Sequence, residues 1–200
     1  MTRRLLNRLP LLIGLMLLVA NAASAAFIFD GLVPPPDIAS TNVQVDYVAA
    51  TDTFTATGVP GQLNDGVSLP IIFLGQFDLT ATISAAGALS GGSLLVQGVV
   101  AGGATGTLLT ADVVDVGFSD VGGDPLQFLL NITGGALAGL YPSVAGIVIS
   151  GSGFTGFGAD FSNNGSGVAD IAPIPEPGTA ALLALGLATL GAARSRARLQ

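Results

Sequence analysis

The sequence predicts an all-β fold, an antiparallel sandwich or barrel of about eight short strands. Three observations carry that expectation. Apolar and polar residues alternate strictly in several places, glycine-rich turns interrupt the alternation at short intervals, and no helical period appears between the two ends of the chain.

Residues 43–47 and 53–57 alternate on either side of Ala50-Thr51-Asp52, which reads as a hairpin with a short loop. In residues 77–84, Phe77, Leu79, Ala81 and Ile83 fall on one face, with Asp78, Thr80, Thr82 and Ser84 on the other. Residues 126–133 do nearly the same. Further strands are expected over residues 93–100, 107–116, 144–150 and, less sharply, 154–161. The run Asp112-Val113-Val114-Asp115 loses phase, and a β-bulge at the two valines restores it. Gly87-Ala88-Leu89-Ser90 and Gly134-Gly135-Ala136-Leu137 look loosely alike, but no fixed period links them, so a solenoid is not expected.

Composition narrows the chemistry. With no histidine and no cysteine, serine-histidine triads, thiol nucleophiles, disulfides and zinc sites are all excluded. The fold must rest on burial. All six basic residues lie near the ends, as Arg3, Arg4, Arg8, Arg194, Arg196 and Arg198, while residues 26–177 hold all 13 acids. Nothing in that body can neutralise phosphate, so neither nucleic acid nor an anionic membrane surface is an expected partner.

The remaining acids offer little catalysis. Asp112, Asp115, Asp120 and Asp124 are close in sequence and could pair as glycosidase carboxylates, but aspartates at strand ends and in glycine turns are ordinary turn formers. Calcium suits such a cluster better, with Asp120 and Asp124 as weak candidate ligands, although Asp120-Val121-Gly122-Gly123-Asp124 departs from an EF-hand loop. Gly151-Ser152-Gly153-Phe154-Thr155-Gly156 has dinucleotide-loop spacing, yet strand and turn residues follow it instead of a helix. No catalytic residue, no cofactor and no enzymatic activity are expected.

The two ends read as addresses. Residues 1–25 have the layout of a secretory signal peptide: Arg3, Arg4 and Arg8, an apolar middle, and Ala23-Ser24-Ala25 as the cleavage site, with Ala23 and Ala25 as its small residues. Ala20-Asn21-Ala22 competes as a site. General secretion and signal peptidase are the expected handlers, with a twin-arginine route and an uncleaved anchor as alternatives. At the other end, Ile174-Pro175-Glu176-Pro177 is held extended by its prolines. The 16 residues from Gly178 to Ala193 then make about 24 Å of helix, marginal against a hydrocarbon core of about 30 Å. Arg194, Arg196 and Arg198 would stop at the cytoplasmic surface. A soluble helix packed on the body is the alternative, but such a helix needs a polar face and this run has none before Arg194.

Pro175-Glu176-Pro177, a short hydrophobic helix and an arginine cluster, in that order at the C-terminus, resemble the PEP-CTERM sorting signal of Gram-negative, exopolysaccharide-producing bacteria. The resemblance covers about residues 173–198. It implies an exosortase as partner, with Pro175, Glu176 and Pro177 as the recognition motif and the three arginines as the membrane stop. The nucleophile belongs to that enzyme. The expected organisation is a signal peptide at 1–25, a β-rich extracellular domain at 26–161, a linker at 162–174 that holds the motif clear of the body, and the sorting signal at 175–198. The precursor would pass through the inner membrane transiently, and its body would reach the cell surface or extracellular matrix. There it would serve as a non-enzymatic protein near exopolysaccharide or, alternatively, as a carbohydrate-binding module.

Overall fold

The computed structural model describes residues 27–119 and 122–174. The signal-peptide and sorting-signal helices expected from sequence lie outside them. Nine strands form in the order β1 (Asp37–Val48), β2 (Thr53–Asn64), β3 (Ile72–Ile83), β4 (Leu89–Val100), β5 (Thr105–Gly117), β6 (Leu126–Gly134), β7 (Val144–Ser150), β8 (Phe161–Ser162) and β9 (Gly167–Ala172). Strands β1 to β7 meander, each antiparallel to the next. Strand β9 then pairs with both β7 and β1, so eight strands close into a barrel and the sheet keeps no long open edge.

Of the two architectures predicted, closure selects the barrel. Its interior is filled by the alternating apolar sets, including Val45 and Tyr47 of β1, Phe54 of β2, Phe77 and Leu79 of β3, Phe128 and Leu130 of β6, and Ile147 of β7. Thr55, Thr80, Ser93 and Asp112 share one register row across the outer wall. Apolar inside and polar outside is the reverse of a lipid-facing barrel.

Bulges in several strands give the wall its curvature. The expected one is present, with the β5–β6 register slipping between Val113 and Asp115. In β1 the register with β2 slips between Thr41 and Gln44, where Asn42 has φ 50°. In β3 the slip falls at Leu74-Gly75, where Leu74 has φ 51°.

The β1–β2 hairpin turns through a 3-10 segment at Ala49–Thr51, with Asp52 left-handed at φ 54°. Two expectations change. Residues 154–161 form a plug instead of a strand, because Phe154, Phe157 and Phe161 recur at three- and four-residue spacing and Gly153 and Gly156 take positive φ. Those rings cap one end of the barrel, with Phe157 5.1 Å from Tyr47 and from Phe118, and 4.9 Å from Phe154. The stretch 162–174, expected as a linker, contains β9, the strand that closes the barrel. Its inward residues Gly167, Ala169 and Ile171 include two of the smallest side chains, which conceal a strand in a segment rich in Asn, Gly and Ser.

Candidate functional site

The end of the barrel opposite the plug is where the chain enters and leaves. Register places Asp37 opposite Asn64, Ile38 opposite Ile171, Ile72 opposite Val100, and Gly146 opposite Ala172. The β2–β3, β4–β5 and β6–β7 connections therefore share this end with the exit at Pro173.

Both chain ends are tied down beside it. The backbone N–H of Val33 donates to the carbonyl of Pro173 at 2.7 Å. Gln127, on β6 and buried, clamps the incoming arm: its Oε1 accepts from the N–H groups of Ile28 (2.9 Å) and Phe29 (3.3 Å), and its Nε2 donates to the carbonyl of Phe29 (2.9 Å). Gly146 makes room for both ends. A Cβ there would lie 2.7 Å from Ile174 Cγ2 and 2.7 Å from the Phe29 ring.

Acid collects at the exit. Burial pushes the Asp37 carboxyl up to about 6 from the usual 3.8, and the nearby Asp170 adds to the shift. Asp37 Oδ1 is buried without a hydrogen-bond partner. The Tyr141 hydroxyl donates to the carbonyl of Ile171 at 3.1 Å, and burial first, then Asp37, raises its pKa.

A second feature lies on the outer wall across β1, β2 and β3. An open groove of about 390 Å³ runs over Gly58 and is lined by Asn42, Gln44, Thr57, Gln76 and Asp78. The bulges at Asn42 and Leu74 flank it. A side chain at Gly58 would collide with Val43, at 2.8 Å from Cγ2. The Gln44 amide donates to Asp46 Oδ2 (2.8 Å) and the Gln76 amide to Asp78 Oδ2 (2.6 Å), which leaves carboxamide oxygens and second carboxylate oxygens for a ligand. The arrangement can accept hydroxyls and repels anions. Tyr47 and Tyr141 are both buried, so neither offers a ring to a sugar in this groove.

The other residues singled out from sequence are scattered. Asp112 and Asp115 are exposed on β5, and Asp115 Oδ1 accepts from the N–H of Val116 at 2.9 Å. Asp120 lies outside the described residues. Asp124 anchors the plug loop: its Oδ2 accepts from the N–H of Gly151 (2.8 Å), and its Oδ1 from the N–H of Ser152 (2.9 Å) and from the Ser152 hydroxyl. Among the described residues, no group of three or more acids is placed to hold a metal ion. The dinucleotide-like run from Gly151 is the loop that Asp124 fastens, and the plug follows it. Ala23, Ala25, Pro175, Glu176, Pro177, Arg194, Arg196 and Arg198 lie outside the described residues. So does the apolar run 180–193; among the described residues, no helix is long and apolar enough to cross a membrane.

Sequence reasoning did not single out Asn163, which repairs the edge of β1. Its Nδ2 donates to the carbonyls of Val43 (2.8 Å) and Gly151 (2.6 Å), and its Oδ1 accepts from the N–H groups of Val45 (2.9 Å) and Gly165 (3.0 Å). It stands in for backbone where β8 ends and β9 has not begun. The only hint was its place in an Asn-Asn-Gly turn.

Comparison with known families places the tail. Residues 173–197 match the family model described as the PEP-CTERM protein-sorting motif. No curated protein and no solved structure matches the chain. The matched segment begins one residue after β9 ends, so the barrel's last anchored carbonyl, that of Pro173, is also the first residue of the sorting signal. A motif of this kind implies export, exosortase as the processing partner, and sorting to the cell surface or beyond.

Proposed function

We propose that this protein is a non-enzymatic exported barrel carrying a disposable membrane handle. Export begins at the signal peptide, with cleavage after Ala25, and the apolar run 180–193 halts in the inner membrane with Arg194, Arg196 and Arg198 on the cytoplasmic side. Exosortase then cuts near Pro175-Glu176-Pro177. The acidic barrel is delivered to the surface or matrix, where it associates with exopolysaccharide.

One observation carries the reading: the sorting motif begins at the residue after β9, the strand that closes the barrel. Cleavage near residues 175–177 leaves in place β1 to β9, the core side chains of the described residues and the clamp around Phe29. The proline-bracketed Glu176 follows the anchored Pro173 after a single intervening pair, Ile174-Pro175. Its presentation to a protease cleft is set by the barrel. The decisive variant is Glu176→Ala, which should leave full-length precursor in the inner-membrane fraction. Normal conversion of that variant to the shorter form would remove the motif's role.

The groove over Gly58 favours a second reading, a carbohydrate-binding module. Amide and carboxylate groups on adjacent strands suit neighbouring hydroxyls. A glycan array probed with the wild-type protein and with Gln44→Ala/Gln76→Ala tests it. Binding lost in the double variant supports this reading, and no binding by either protein removes it.

A further inference from the structure

The exit end carries an apolar rim that the barrel does not cover. Val67 is 96% exposed, Leu69 60%, Phe73 52% and Leu74 90%, all in the β2–β3 connection and the first turns of β3. Val59 and Ile71 flank them, also exposed. Leucine is a poor choice for solvent, and a worse one at φ 51°, where its Cβ is strained. Nothing in the wall's packing requires it, since Leu74 points out of a bulge.

The position of this rim says what meets it. The Asp37–Asn64 and Ile38–Ile171 pairs put the β2–β3 connection at the same end as the exit. Around the barrel, β9 and β3 are separated only by β1 and β2, about 15 Å at the usual strand spacing. From Ile174 to the expected helix start at Gly178 the chain can reach about 14 Å when fully extended. The polar headgroup layer fills about 5 to 7 Å of that reach. A barrel tethered so closely must turn its exit end, and with it Val67, Phe73 and Leu74, toward the lipid.

We propose that the β2–β3 rim is a membrane-docking edge that seats on the bilayer surface while the tail is inserted. This inference rests on the reading of residues 180–193 as membrane-inserted. Docking fixes the tilt of the barrel and the height of Pro175-Glu176-Pro177 above the bilayer. Residues 26–177 hold 13 acids and no base, so the contact is apolar insertion and not attraction to anionic lipid. Side chains 90% or more exposed stand clear of the wall as separate points, which suits entry between headgroups better than a flat packed dimer face.

The chain has no tryptophan, so Leu74→Trp and Val67→Trp each place a single reporter on the rim, and Val48→Trp places one at the plug end. Each full-length variant is reconstituted into phosphatidylcholine vesicles with and without brominated acyl chains, then washed with carbonate. The docked edge predicts that both rim reporters lose most of their emission to brominated lipid, with a blue shift insensitive to salt, while Val48→Trp is unaffected. Rim reporters that stay unquenched in carbonate-resistant protein overturn docking and leave the anchor intact. A blue-shifted rim reporter reached by neither bromine nor iodide would place a second copy on the rim and also overturn it. Release of the full chain by carbonate overturns the anchor, and docking with it.

Discussion

The two ends of this barrel solve opposite problems. At the plug end, residues 151–162 fold back over the barrel mouth; Phe154, Phe157 and Phe161 pack edge-on and tilted against one another, Phe157 meets Tyr47 and Phe118 edge-on, and Phe161 stacks on Tyr47. At the exit end the chain leaves apolar side chains in solvent, at the same end as the half-buried Asp37 and the tie between Val33 and Pro173. The first end is finished by its own side chains, whereas the second is built to meet something else. Without cysteine the plug must hold by packing and by buried hydrogen bonds, so mutations there should cost most.

The largest effect is expected from Phe157→Ala, which opens the aromatic cluster and should lower unfolding free energy by about 3 to 5 kcal/mol. Urea titration measures it; a loss near zero would mean that the plug is ornamental and the two ends do not differ. Next comes Asn163→Ala. It leaves the Val43 and Gly151 carbonyls and the Val45 N–H without their partner, at a cost of about 2 to 3 kcal/mol. Asn163→Asp, which keeps the acceptor and loses both donors, should be no better.

The exit end responds to pH instead. Asp37 titrates near 6 in the folded barrel and near 3.8 when unfolded, so between those values the native state binds the extra proton. Stability should therefore fall as pH rises from about 4 to about 6 and stay level above. Allowing for the solvent that still reaches this half-exposed carboxyl, the amplitude should be about 1 kcal/mol. Asp37→Asn should recover that amount at pH 7 and nothing at pH 3.5, with thermal melts at both as the check. Smallest of all, Leu74→Gly should be neutral or stabilising by up to about 1 kcal/mol, because glycine takes φ 51° without strain and no packing is lost. A clear destabilisation would show that the rim supports the fold.

Where side chains alternate in size and polarity, the sequence foretells the structure. The strand over 144–150 appears with those bounds, the β1–β2 hairpin forms as read, and the bulge falls at Val114. What failed to show in the sequence was closure. That depends on β9 meeting β1, two segments at opposite ends of the described chain, and β9 is written with Gly167 and Ala169, which carry little apolar signal. The plug does not announce itself in the sequence, because phenylalanines between glycines suit a strand as well as a turn, and only the packing of Phe154, Phe157 and Phe161 tells them apart. At the functional end, the motif was legible as prolines, an apolar run and arginines, a signature of composition that needs no fold. The clamp by Gln127 and the room made by Gly146 were not, since each depends on contacts with the distant Phe29.

Mass spectrometry of the mature protein from its native host tests the central claim most directly. The account predicts an N-terminus at Ala26, an intact barrel through Ala172, and a C-terminus at or near residues 175–177 with Arg194, Arg196 and Arg198 gone. An extracellular product that still ends in Arg198-Leu199-Gln200 would contradict it.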